Sequence, residues 1–167
     1  RVDVRSDASF VVDGVEGLAL RALPLASKAP PYSPHRAKPH DGDTLGIEIT
    51  DRNTGGSLLY APGVGAIDGH LRNALMRVDC VLIDGTFWTD DELIRLGIGD
   101  KRAADMGHLP QAGEGGMIET LRAYPRPRKV LTHINNTNPI LVDDSPERAQ
   151  LTAAGIEVAH DAMELVL

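Results

Sequence analysis

The sequence predicts a mixed α and β domain, and three observations carry that reading. Near the start, apolar runs pair off across turn signals, as antiparallel hairpins do. Further on, short continuous apolar runs alternate with segments of helical spacing, the pattern of parallel strands joined by crossover helices. Two of those runs, Cys80-Val81-Leu82-Ile83 and Val130-Leu131-Thr132, end in chemically active side chains, Asp84 and His133.

The chain has 167 residues, about the length of one compact domain, so residues 1–167 are read as a single domain around one core. Hydrophobic residues make up 42% and aromatic residues only 4%, which leaves Val, Leu, Ile and Ala to build that core. The net charge is −7 and the 17 Lys and Arg are scattered rather than striped, which argues against a nucleic-acid partner. Runs such as Val81-Leu82-Ile83 fall far short of the roughly 20 residues of a bilayer span, so no membrane partner is expected. Cys80 is the one cysteine, which excludes an internal disulfide. Its apolar strand context points to a buried thiol and a reducing, cytoplasmic setting. The chain opens at Arg1 with no leader pattern, which reads as a processed start or a fragment.

In chain order, Ser9 to Val12 and Gly17 to Leu25 flank Asp13-Gly14 and predict an opening hairpin. Ala29 to Asp43 holds Pro30, Pro31, Pro34 and Pro39, so it is a long loop, the kind that in compact domains serves function or stays disordered. Thr44 to Thr50 alternates Leu45, Ile47 and Ile49 with Gly46, Glu48 and Thr50, a strand with one buried face. The Asn53-Thr54-Gly55-Gly56 turn returns it into Ser57 to Ala61. Ile67 to Met76 has helical spacing, and Val78 to Ile83 completes a parallel strand, helix, strand unit. Asp90 to Leu96 is a helical turn, Asp100 to Gly113 a polar connection, and Gly115 to Tyr124 a helix with Met117, Ile118 and Leu121 inward, stopped by Pro125. Lys129 to Ile134 is a strand. Ser145-Pro146 opens a helix that runs to about Ala154 and stops at Gly155, with Ser as cap and Pro at the first position. Ile156 to Ala159 and Met163 to Leu167 read as a closing pair of strands.

Polar residues at the carboxyl ends of strands in such folds converge on one rim of the sheet, which makes Asp84 and His133 the best-placed site candidates. On the residues alone, a turn-capping Asp84 and a loop-bonding His133 stand at even weight with that reading. His108, in Met106-Gly107-His108-Leu109-Pro110, is positioned to ligate a metal or move a proton, against the commoner case of an exposed loop histidine. His35 and His40 fall in the proline-rich loop at a pocket mouth or simply at the surface, while His70 and His160 read as surface residues. Asn135, Asn136 and Asn138 favour a tight turn, with orientation of His133 from behind as the alternative. Gly113, Gly115 and Gly116 precede a helix, a weak anion-site signal, and no phosphate loop or Gly-x-Ser-x-Gly elbow is present.

The run Asp79-Cys80-Val81-Leu82-Ile83-Asp84-Gly85-Thr86-Phe87-Trp88 is followed by Met106-Gly107-His108-Leu109 and by Leu131-Thr132-His133-Ile134-Asn135-Asn136-Thr137-Asn138-Pro139-Ile140. With Asp144-Ser145-Pro146-Glu147-Arg148, Pro30 to Arg36 and Tyr60-Ala61-Pro62-Gly63, it strongly resembles the pyrroloquinoline quinone (PQQ) biosynthesis protein B family, from about Ala22 onward. That resemblance implies a branch of the metallo-β-lactamase superfamily: an α+β chain, an α/β sandwich forming part of a four-layer αββα fold, with its metal site on the rim between the sheets. Members of the family are longer. Their His-x-His-x-Asp-His region and cysteine-rich zinc segment have no counterpart here, so the likeness is to the C-terminal half, and it implies that no complete metal site forms from this chain unaided.

Residue by residue, the resemblance makes His133 the family's last metal-binding histidine. Asp84 and His108 fall where related enzymes keep an acidic residue and a histidine for substrate or proton handling, which implies catalytic roles. Pro62-Gly63 stands where dinuclear relatives carry a bridging aspartate, implying one metal rather than two. The implied activity is iron- and oxygen-dependent hydroxylation of the tyrosine ring in a crosslinked Glu-Tyr precursor of PQQ, with Fe2+ as cofactor and zinc as a substitute. The alternative is a carrier that helps move PQQ or its precursor to the periplasm. The implied partners are that small peptide-derived precursor and other PQQ biosynthesis proteins. Half of a sheet-on-sheet sandwich also exposes an apolar face, so the fragment is expected to form a homodimer.

Overall fold

The computed structural model describes residues 3–36 and 38–167. Its described residues form one seven-stranded sheet whose spatial order is the order of the chain. β1 (Ser9–Phe10), β2 (Leu18–Pro24), β3 (Leu45–Asp51) and β4 (Ser57–Ala61) form an antiparallel meander. From β4 onward the sheet is parallel through β5 (Cys80–Asp84), β6 (Arg128–Thr132) and β7 (Ile156–Val158). Both expected hairpins and the parallel unit are therefore present.

A parallel strand needs a crossover, and each is helical here. α1 (Gly69–Leu75) links β4 to β5, and the Asp68 carboxylate caps it by accepting from the Leu71 N–H at 2.9 Å. The long connection from β5 to β6 carries the short helices α2 (Glu92–Arg95) and α3 (Ala103–Met106), then α4 (Met117–Arg122) with Met117, Ile118 and Leu121 buried as expected. A 3-10 turn, Pro139–Leu141, precedes α5 (Pro146–Ala153), which begins at a Ser145 side chain accepting from the Arg148 N–H, with Pro146 at the first turn. The left-handed Gly155, φ +68°, turns the chain into β7.

Register decides which residues meet. Leu59 and Ala61 lie beside Val81 and Ile83 of β5, and Ile83 continues to Leu131 and Val158. These side chains share the face on which Leu71, Leu75, Met117, Leu121 and Leu151 of the helices pack into one core. On the other face Leu18, Leu20, Ile47, Ile49, Leu58 and Leu82 are only partly covered. The structure thus holds two layers, helices on sheet.

The closing strand pair is corrected in its second member. Ile156–Val158 pairs with β6, but Met163–Leu167 forms no strand. Leu165, Val166 and Leu167 instead line a groove with Leu18, Ile49 and Leu58, on the uncovered face. An apolar alternation reads as a strand by period, yet here the nearest unpaired apolar surface is a sheet face and not a sheet edge.

Candidate metal and proton-transfer site

The site is built at the carboxyl ends of the parallel strands β5 and β6, where a helix-crossover sheet gathers its polar loops. Asp84 is the last residue of β5 and is fully buried. An unpaired carboxylate there would be costly, and this one is saturated. Asp84 Oδ2 accepts from the Val64 N–H at 2.9 Å and meets His108 Nδ1 at 2.6 Å. Asp84 Oδ1 accepts from the Thr86 N–H at 3.0 Å and from the Thr86 hydroxyl. Burial pushes the Asp84 carboxyl up, but the bonds from His108, His133 and Thr86 outweigh it and hold it below the ordinary aspartate value.

His133 follows β6 in the left-handed region, φ +55°, which among non-glycine residues Asn, Asp and His adopt most readily. That turn aims its ring back over β5. His133 Nδ1 lies 2.9 Å from Thr86 Oγ1 and 3.7 Å from Asp84 Oδ1, and its ring stacks on His108 with centroids 5.3 Å apart. Asp84 raises the His133 pKa above the usual 6.5, against an opposing effect of burial. The side chain of His133 remains 54% exposed, that of His108 16%. One proton arrangement satisfies the three shortest side-chain contacts: the Thr86 hydroxyl donates to Asp84, His108 Nδ1–H donates to Asp84, and His133 Nδ1–H donates to Thr86 Oγ1. Both Nε2 atoms then keep an open lone pair.

Two glycines make this approach possible. A Cβ on Gly85 would stand 2.9 Å from Leu131 Cβ and 3.1 Å from the Thr132 carbonyl, so only glycine lets the two strand ends run this close. Gly107, φ +89°, would place a Cβ 2.7 Å from Ser27 Oγ, and it swings His108 toward the Asp84 side chain. The loop after β5 is then pinned from below. Gln111 donates to the Asp84 carbonyl at 3.0 Å, and Asn138 donates to the Gly85 carbonyl at 2.9 Å.

The structure therefore brings Asp84, His108 and His133 together, with ligand-capable atoms all within 4.8 Å of one another. The two imidazole nitrogens are donors of the kind that suit a divalent first-row ion such as Fe(II) or Zn(II). Because four donors already occupy the Asp84 oxygens, its part is to fix the rings from behind, as carboxylates do for ligating histidines.

The other sequence candidates fall elsewhere. His35 and His40 lie with ring centroids 4.1 Å apart, tilted by 32°, and His40 lines a separate cavity with His70. His70 and His160 are exposed. The asparagine run is a turn that holds the Thr86 loop: Asn138 bonds the Gly85 and Thr86 carbonyls and the Asn135 N–H donates to the Thr86 carbonyl. The Gly115 N–H is taken by Glu119, so the glycines before α4 serve a turn. Cys80 is buried, and burial pushes its thiol pKa up. Thr86 and Gln111 were not singled out by sequence. The signal available was Asp-Gly-Thr at a strand end, which reads as an ordinary turn until the histidines arrive.

Residues 1–134 match the family described as the β-lactamase superfamily domain. The chain belongs to the β-lactamase superfamily. Within it, the chain is 58% identical over 158 residues to coenzyme PQQ synthesis protein B of Nitrosococcus oceani, covering 95% of this chain and 51% of that protein. It is 57% identical over 161 residues to the protein of the same name from Azotobacter vinelandii, covering 96% and 53%. A crystal structure of Zn(2+)-bound PqqB from Methylobacterium extorquens superposes with TM-score 0.87 at 35% identity, over 96% of this chain and 54% of that one. Human tRNase Z, short form, superposes at TM-score 0.53 and 16% identity, which shows a shared superfamily fold alone. The chain spans about half the length of the relatives it matches.

The Pro62-Gly63-Val64 turn puts a backbone N–H, that of Val64, onto Asp84 Oδ2. Among the described residues no helix is long and apolar enough to cross a membrane.

Proposed function

We propose that this chain serves PQQ biosynthesis as part of a metal-dependent hydroxylase acting on the tyrosine ring of the crosslinked Glu-Tyr precursor. The observation that carries the reading is the cluster of Asp84, His108 and His133 at the ends of β5 and β6. The similarity to PQQ synthesis protein B and to a zinc-bound relative supports it. His133 would hold the ion through Nε2, together with ligands from the remainder of the length of the longer relatives. When bound, the ion would supply Lewis acidity and, as iron, a redox centre for dioxygen, with the two further electrons of a hydroxylation coming from an external reductant. Thr86 holds the His133 ring in register. His108 Nε2 takes the phenol proton as the ring becomes electron-rich, and Asp84, 2.6 Å from Nδ1, stabilises the imidazolium formed.

Anaerobic Fe(II) and Zn(II) loading of this chain, and of a chain extended to the relatives' full length, tests the ligand assignment. Stoichiometric metal in the extended form that His133→Ala abolishes is the expected result. Hydroxylation of the precursor that persists in His133→Ala would sink the metal role. Tight PQQ binding by the metal-loaded extended form with no oxygen consumed would favour the carrier instead.

A further inference from the structure

Asp84 meets the two histidine rings directly, and a second buried carboxylate ties together the loops on either side of them. Glu92, the first residue of α2, is 6% exposed and bonds in two directions. Its Oε2 accepts from the Trp88 N–H at 2.6 Å, in the loop that follows β5. Its Oε1 accepts from the Thr137 hydroxyl at 2.5 Å, in the turn that follows β6. A buried carboxylate is costly, and an apolar side chain would fill the space as well; what Glu92 adds is one bond to each loop.

Thr137 passes the constraint on. Its Oγ1 also accepts from Asn135 Nδ2, and the Asn135 N–H donates to the Thr86 carbonyl at 3.1 Å. Thr86 in turn holds His133 at two atoms, with its Oγ1 lying 2.9 Å from Nδ1 and 3.0 Å from the His133 carbonyl oxygen. Trp88 stands two residues after Thr86 and Thr137 four after His133, so one carboxylate spans the two segments whose separation sets the contact between Thr86 and the His133 ring.

We propose that Glu92 is a positioning residue for His133, bracing the loop after β5 against the turn after β6. This deepens the proposed function and rests on it for the ring's role as a metal ligand; how the ring is held rests on the hydrogen bonds alone. The brace acts through geometry. A glutamine at this position offers one acceptor to the Trp88 N–H and one amide donor to Thr137 Oγ1, so it spans the same gap, whereas alanine spans none.

The test uses this chain free of metal, and the chain extended to the relatives' full length and loaded with Zn(II). In the metal-free chain, Glu92→Ala is expected to move the His133 imidazole resonances and to speed amide exchange at Trp88 and Asn135 about tenfold. In the extended form it should weaken zinc about tenfold, the low end for a partner behind a metal ligand, because Glu92 acts through Thr137 and Asn135. Glu92→Gln should recover most of both effects. Thr137→Val cuts the same link one bond further along, and it decides the matter where Glu92→Ala fails to fold. Added to Thr137→Val, Glu92→Ala should weaken zinc no further, as two changes to one brace require. Ser57→Ala is the comparison for stability alone: it removes a bond to Asp79 at the opposite end of β4 and β5, and should leave the His133 resonances and zinc affinity unchanged.

Glu92→Gln no better than Glu92→Ala, or zinc weakened as much by Ser57→Ala, overturns the proposal. Zinc that depends on His133 but binds equally well to Glu92→Ala and Thr137→Val also overturns it and leaves the metal site standing. A His133 ring that moves in the metal-free variants, in a protein whose extended form holds no zinc through His133, upholds the brace and sinks the metal role.

Discussion

At the scale of single residues, the site depends on one buried carboxylate answering four donors. Asn in place of Asp84 has the same shape but only one acceptor oxygen, and its amide N–H2 would face donors such as the Val64 N–H or the Thr86 N–H. Asp84→Asn should therefore lower stability by about 1–3 kcal/mol for each donor left unpaired, read by chemical denaturation. Thr86→Ala keeps the backbone bond and removes the hydroxyl that links Asp84 to the His133 ring. Its expected signature is a modest loss of stability with weaker metal binding. Unchanged metal affinity in Thr86→Ala would mean that the His133 ring is held by its own backbone turn alone.

At the scale of elements, the parallel unit is tied at both ends. At its base, Asp79 accepts from the Ser57 N–H at 3.0 Å, the Ser57 hydroxyl at 2.7 Å and Arg126 at 2.9 Å, which joins the starts of β4 and β5. The Ser57 hydroxyl is the largest cause holding the Asp79 carboxyl below its ordinary value of 3.8, with Arg126 next. A depressed aspartate adds stability above its unfolded pKa, and that contribution disappears as the pH falls through the lower folded value. Asp79→Asn should thus be less stable than wild type at neutral pH and lose less on acidification below about pH 4, as seen in denaturation midpoints across pH. At the upper end, Asn138 is the buried clamp on the Gly85 and Thr86 carbonyls, and its Oδ1 accepts from the Ile140 N–H to start the 3-10 turn. Asn138→Ala should cost about 1–3 kcal/mol and loosen the Thr86 loop, visible as faster amide exchange at Asn135, whose N–H ends on the Thr86 carbonyl.

At the scale of the whole molecule, one sheet face is packed by helices and the other is not. Ile47, Ile49 and Leu82 lie on the open face, and the C-terminal segment flanks only its Leu18, Ile49 and Leu58 corner. The relatives are about twice as long as this chain. For the chain by itself we propose that a second copy covers the face, because burying apolar area contributes roughly 25 cal/mol per Å2. Sedimentation should show a dimer that Ile49→Lys dissociates. A monodisperse monomer for the wild-type chain over a wide concentration range would contradict it.

Most of the elements are written in short stretches of the sequence. Alternation in Thr44 to Thr50, the Ser145-Pro146 cap and the apolar run into Asp84 each carry their structure within a few neighbouring residues, because period, capping and turn chemistry are local. Asp84, His108 and His133 were also legible as candidates, two as polar strand ends and the third mainly through its motif, and the fold brings the three together. Which of these residues meet depends on packing between segments far apart in the chain. Thr86 joins two histidines 22 and 47 positions away, and Val64 supplies a backbone donor to Asp84 from 20 positions away. Lys28, Arg36 and Lys101 reach one cleft from separate loops. The misread end, Met163 to Leu167, has the same cause: a local pattern says that a segment is apolar on one side, and only the packed sheet says which surface is there to receive it.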